Sequence, residues 1–129
     1  MSVSHIDTHL KAGGIVRKLL FSHKNVVSEV IFQEDVSYLV VNGFVFVEVF
    51  SEKKIYLFND SGSKLKEIPI DKKLGYSYRG MKKNHLSSSG VAVLFFPEDN
   101  SLGNQWNDIE QYEIDLAQGA IGKYLGVYR

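Results

Sequence analysis

No cysteine occurs among the 129 residues. Disulfides, thiolate metal sites and cysteine nucleophiles are thereby removed together, and a reducing compartment is accommodated. No long hydrophobic run occurs either. The longest, Val91 to Phe96 (VAVLFF), falls far short of the roughly 20 residues that a membrane span requires. The opening stretch from Met1 to Leu10 lacks the charged start and apolar core of a signal peptide, so the cytoplasm is the expected location. Charge excess is missing as well, because fifteen basic residues balance fifteen acidic ones. A neutral total gives no electrostatic case for nucleic-acid binding.

What is present is the composition of a folded chain. Hydrophobic residues at 44% and charged residues at 23% exclude the polar, highly charged make-up of disordered segments. The length predicts one domain over residues 1–129. From Val26 onward the pattern is two-residue alternation rich in β-branched residues, which predicts strands. Val26 to Phe32 reads as one, followed by a turn at Glu34-Asp35. Tyr38 to Val41 and Phe44 to Phe50 flank Asn42-Gly43, a strong short-range hairpin signal because both turn residues need positive φ. On the second of these strands Phe44, Phe46, Glu48 and Phe50 share one face and the valines the other, so burial on both faces is expected.

Lys54 to Phe58 and Lys64 to Ile70 are joined by a turn at Asn59 to Gly62, and Pro69 sits at a strand end, where a missing donor is least costly. Val91 to Phe96 reads as a strand buried on both faces. Asp108 to Leu116 and Ile121 to Tyr128 form a final hairpin. Only residues 1–21 suit a helix. Leu10, Val16, Leu19 and Leu20 form a stripe that Gly13-Gly14 interrupts, and a helical turn followed by a strand from Ile15 to Phe21 fits equally. The expected fold is mainly β, either all-β or α+β with one short N-terminal helix. It is an antiparallel meander of about eight or nine strands forming a curved sheet or sandwich.

Motifs that carry chemistry are absent or incomplete. His5 and His9 have the spacing of a helical metal pair, but no third ligand lies nearby, so no metal site or cofactor is expected. Asp99 to Gly103 lacks the ligands of a calcium loop. Ser87 to Ser89 lack the glycine two residues ahead that a nucleophile elbow needs, and Gly13-Gly14 has no phosphate-loop context. His23 and His85 stand without a partner at catalytic spacing.

Charge is instead segregated. From Asn84 to Gly122 there is no lysine or arginine, while Glu98, Asp99, Asp108, Glu110, Glu113 and Asp115 are acidic. Seven basic residues crowd Lys64 to Lys83 just upstream. Two solvated strand faces that pair with each other would explain this. The sharper reading is a docking surface for a basic protein, anchored by Trp106 and ringed by Glu98, Asp99, Asp108, Glu110, Glu113 and Asp115. Strand parity places Tyr112 and Ile114 inward and Gln111, Glu113 and Asp115 outward.

Two resemblances follow from these residues. Ile55 to Gly62 (IYLFNDSG), with its echo at Gln111 to Gly119, resembles the outer hairpin of a β-propeller blade, though two such units cannot close a propeller. The small size, the missing catalytic motifs and the acidic run around Trp106 resemble the single-domain immunity proteins of bacterial toxin–immunity systems. That likeness implies tight binding of a basic, nuclease-type toxin, with the outward acids taking the positions of substrate phosphates. Two other readings stay open: an enzyme or ligand-binding domain whose pocket is assembled in three dimensions, and a structural subunit that oligomerises through Phe44 to Phe50.

Overall fold

A computed structural model describes residues 3–6, 13–70, 75–97 and 109–128. The chain is mainly β, as the alternation predicts. Its strands are β1 (Val3–Ile6), β2 (Gly13–His23), β3 (Val26–Val41), β4 (Phe44–Val49), β5 (Lys54–Phe58), β6 (Lys64–Pro69), β7 (Tyr76–Lys83), β8 (Val91–Pro97), β9 (Ile109–Asp115) and β10 (Ala120–Tyr128). A short 3-10 turn, Phe50–Glu52, follows β4, and among the described residues there is no α-helix. The residues gather into two compact units, one ending at Ile68 and the other starting at Pro69.

The first unit is one sheet in the order β1-β2-β3-β4-β5-β6. β2 to β5 are antiparallel neighbours, and β1 runs parallel to β2. Of the two readings of residues 1–21, the described part follows the strand one, as Val3–Ile6 and Gly13–His23. The physical reason lies in the register of β2 on β3. Val16 pairs with Val36 and Lys18 with Ile31, so Arg17 alone faces Phe32 to Asp35. This bulge switches the buried parity of β2, with Val16 inward before it and Leu19 and Phe21 inward after it. The resulting three-residue spacing imitates a helical stripe. The expected turn at Glu34-Asp35 is likewise this bulge, within a single strand of 16 residues.

The reversal into β3 comes earlier, at Lys24-Asn25, where both residues have positive φ, 50° and 64°. Asn42-Gly43 makes the next hairpin as expected, with φ of 54° and 79°. On β4, Val45, Phe46, Val47, Glu48 and Val49 are all buried, so both faces of that strand are covered. The inner face joins Val16, Leu19 and Phe21 to Val36, Tyr38 and Val40 and to the valines of β4. Phe21 and Phe58 meet at 5.8 Å between ring centroids.

The sheet curls until the β5–β6 turn meets β2 and β3. Asn59 organises that turn: its Oδ1 accepts from the Ser61 N–H at 3.1 Å, the Ser61 hydroxyl at 2.8 Å and the Ser63 N–H at 3.0 Å. Gly62, at φ 87°, lies so close to β2 that a Cβ there would stand 2.9 Å from Phe21 Cδ2 and 3.2 Å from Ser28 Cβ. His23 Nδ1 lies 3.6 Å from Asp60 Oδ2 across the same seam.

The second unit is a four-stranded meander in the order β10-β9-β8-β7. Val91, Ala92, Val93 and Phe95 are buried, as the apolar run of β8 predicts. One face carries a ring from every strand: Tyr78 to Phe95 at 5.9 Å, Phe95 to Tyr112 at 5.7 Å, and Tyr112 to Tyr124 at 5.5 Å. Cross-strand aromatic contacts of this kind are the natural unit of sheet stabilisation.

Two glycines with similar φ separate backbone strain from steric closure. Gly43, at φ 79°, has nothing within 4 Å of a built Cβ. Gly43→Ala is expected to lose about 1 kcal/mol, the strain of a left-handed L-residue. Gly62→Ala adds overlap with Phe21 and is expected to lose about 2–4 kcal/mol, since overpacking contributes a further ~1–3 kcal/mol. Equal losses by urea denaturation would contradict the curled contact.

Candidate functional site

The curl leaves a concave groove of about 360 Å³ on the first unit. Five consecutive residues of β3, Val30 to Glu34, line it. Val30, Phe32 and Glu34 point to the inner face, and the outward-pointing Ile31 and Gln33 border the same hollow, so it reaches the strand's edge. The opposite wall comes from Val49, Ser51 and Glu52 where β4 ends, Tyr56 and Phe58 on β5, and Lys64 on β6. The floor is aromatic, with Phe32 edge-on to Phe58 at 6.5 Å and Tyr56 beside Phe58 at 6.3 Å.

The groove exists because β4 stops early. β3 pairs with β4 only from Ser37 to Val41, so the stretch before Ser37 has no ladder partner on that side among the described residues. At Phe50 the chain leaves the sheet in the 3-10 turn and reverses at Lys53, whose φ is 53°. The Ser51 hydroxyl donates to Glu34 Oε1 and its N–H reaches Glu34 Oε2 at 3.4 Å, tying the end of β4 to the bulge of β3.

Charge at the groove is fixed. The Tyr56 hydroxyl donates to Glu52, which pushes the phenol up to about 12, with burial and the nearby Glu52 and Glu67 charges adding to the shift. Glu67 accepts from Lys54 at 2.8 Å and from Lys64, and these two hydrogen bonds hold its carboxyl down to about 2. Lys54 is raised in turn by the same bond. Lys64 Nζ also sits 4.5 Å from the centroid of the Tyr56 ring. The lining thus holds two carboxylates, Glu34 and Glu52, and one ammonium, Lys64, which shares Glu67 with Lys54. An arrangement with more carboxylates than ammonium groups around an aromatic floor is chemically suited to cationic and apolar groups.

The residues expected from sequence to form a docking surface are placed differently. Glu98, Asp99, Trp106 and Asp108 lie outside the described residues. Glu110 accepts from the Tyr76 hydroxyl at 3.1 Å and the Tyr112 hydroxyl at 2.7 Å. Glu113 is buried rather than outward, at 7% exposure, and accepts the Ser88 N–H at 3.0 Å. Gln111 beside it is buried too and accepts from Asn84 Nδ2 at 2.9 Å. The loop 84–90 folds over this side of β9, which strand parity alone does not reveal. Asp115 caps the β9–β10 turn by accepting the Gln118 N–H at 3.1 Å. Ser87 and Ser89, weighed as nucleophiles, are buried with their hydroxyls 3.0 Å apart.

His9 lies outside the described residues, and among those that are described no group of three histidine or acidic side chains is arranged to hold a metal ion. No described helix is long and apolar enough to cross a membrane.

Comparison with protein families, curated proteins and solved structures finds nothing that matches this chain. Its function is therefore argued from the groove. Sequence reasoning misses Phe32, Glu34, Ser51, Glu52, Tyr56, Phe58 and Lys64 as a set. The one local signal is the break in alternation at Gln33-Glu34-Asp35, which reads as a turn.

Two measurements follow. Glu113→Ala is expected to lose about 1–3 kcal/mol, because it strips the Ser88 N–H of its acceptor inside a covered site; thermal or urea unfolding reads this directly. Glu67 titrates below the ordinary carboxylate range in the folded chain, so its stabilising effect is full above about pH 4.5 and is lost as pH falls through about 2. Glu67→Gln is expected to flatten the acid limb of the stability profile in that window, and an unchanged limb would contradict the Lys54–Glu67–Lys64 arrangement.

Proposed function

We propose that this chain is a non-catalytic protein-binding domain that engages a basic protein partner through the groove of its first unit. The observation that carries the reading is the combination, in one hollow, of a strand edge with no ladder partner among the described residues, an aromatic floor and two rim carboxylates. Apolar concavities with a few convergent polar groups are the usual form of binding sites. Aromatic floors supply contact area, and rim charges set the sign of the partner and accelerate encounter. The acidic run on β9 contributes less to this reading than its composition promises, because Glu113 is buried beneath the loop 84–90 whereas Glu52 stands exposed at the groove rim. The partner is thus recognised at Glu34 and Glu52, and a toxin of the nuclease type is one basic protein of the required charge.

Photo-crosslinking tests this. A photoreactive residue replacing Gln33 at the groove's outer edge, and another replacing Gln118 in the exposed β9–β10 turn, are compared in the cell that makes the protein. A defined protein adduct is expected from the first position and not from the second. The captured partner, once purified, is expected to bind with an on-rate that falls steeply between about 50 and about 500 mM salt as charges are screened. Equal adducts at both positions, no adduct at Gln33, or a salt-independent on-rate would each overturn the reading.

A further inference from the structure

We infer that the partner enters the groove as an extended strand that pairs with the edge of β3 along Val30 to Glu34, which no described strand occupies on the β4 side. The inference rests on the protein-binding reading and adds the conformation and residue pattern of what is bound.

A strand without a neighbour presents a row of N–H and C=O groups that templates another strand. Ladder pairing of β3 with β4 begins only at Ser37, and the hollow lies along the preceding edge. Five residues of antiparallel strand span roughly 17 Å at about 3.4 Å each, enough to seat a short segment in register. Strand addition of this kind draws affinity from main-chain bonds and specificity from pockets for alternate side chains.

Side-chain chemistry then fixes the pattern. Val30, Phe32 and Glu34 alternate on the inner face of β3, and a strand laid beside them sets its own alternate side chains against theirs. Val30 and Phe32 continue into the aromatic floor through Phe58. Glu34 and Glu52 lie at the other end, where β4 leaves the sheet. The segment that fits therefore carries two aliphatic residues and one basic residue, each two positions apart. The basic end faces the carboxylates. An ammonium is already accepted over this floor, since Lys64 Nζ stands above the Tyr56 ring. Charge complementarity thus selects a basic strand over an acidic one.

The test uses the full chain and synthetic probes. Capped heptapeptides of sequence TVTVTRT and its reverse, TRTVTVT, cover both strand directions, with glutamate-for-arginine versions as charge controls. Each is also made in two forms N-methylated at complementary alternate residues, which block one edge of the peptide or the other. Binding is followed by NMR amide titration. One arginine peptide is expected to shift the amides of Val30 to Glu34, to bind at least about fivefold more tightly than its glutamate version, and to lose binding in one N-methylated form only. Glu34→Gln and Glu52→Gln are each expected to weaken it by about fivefold, the scale of one partly exposed ion pair.

Equal binding by both N-methylated forms, perturbation confined to other strands, or no binding by any peptide would overturn strand addition. So would a concentration-dependent dimer protected at Val30 to Glu34, which would assign the edge to a second copy of the chain. If the Gln33 crosslink still captures a salt-sensitive partner in any of these cases, the protein-binding reading survives and only the strand geometry falls.

Discussion

The register break between β2 and β3, where Arg17 alone faces four residues of the partner strand, governs the first unit. Its surface ion pair, Arg17 Nε to Asp35 Oδ1 at 2.9 Å, joins two side chains that are each about half exposed or more, and such pairs contribute at most about 1 kcal/mol. The ladder bonds given up across the bulge are each worth about 0.5–1.5 kcal/mol. What outweighs them is burial. The bulge lets Val16, Leu19 and Phe21 all face the core, and full burial of such side chains stabilises by about 1.5–3 kcal/mol each. Without the parity switch, Val16 and the Leu19–Phe21 pair would face opposite sides of the sheet. The same bulge carries Glu34 to the end of β4, where Ser51 holds it, so the core and the groove have one origin.

Curling follows from that constraint. Once Phe21 is turned inward beyond the bulge, the β5–β6 turn packs on it, and only a residue without Cβ fits at Gly62. Asn59 supports the turn with three donors converging on one carbonyl oxygen, so its backbone shape is held by local bonds as well as by the long-range contact. A sheet closed in this way leaves a hollow where β4 has stopped and β3 has not.

The sequence reveals features that obey local rules. Asn42-Gly43 announces its hairpin because few other residue pairs accept two positive φ values, and the doubly apolar β4 and β8 announce burial on both faces. The bulge is hidden, since an interruption of alternation at Gln33-Glu34-Asp35 looks the same whether the chain turns or continues. Burial of Gln111 and Glu113 is hidden for a different reason: the cover is supplied by loop 84–90, some 25 residues distant in sequence. The groove is least legible of all. Its walls come from four strands, and no window of the chain contains them together.

Carboxylates on this protein divide by access and by remaining capacity to accept. An ionised carboxylate offers about four lone-pair sites. Glu113 spends one on Ser88 in a covered position, so its charge serves the fold. Glu52 spends one on Tyr56 at an exposed rim and keeps the rest within reach of a partner. The titrations at the groove point the same way. Tyr56 at about 12 stays protonated and Glu67 at about 2 stays ionised across the neutral range. General acid–base chemistry works best with a group whose pKa lies near the operating pH, and here the neighbours drive both groups away from it. Fixed charges around an aromatic floor suit recognition, in which a partner must meet the same electrostatic pattern at every encounter.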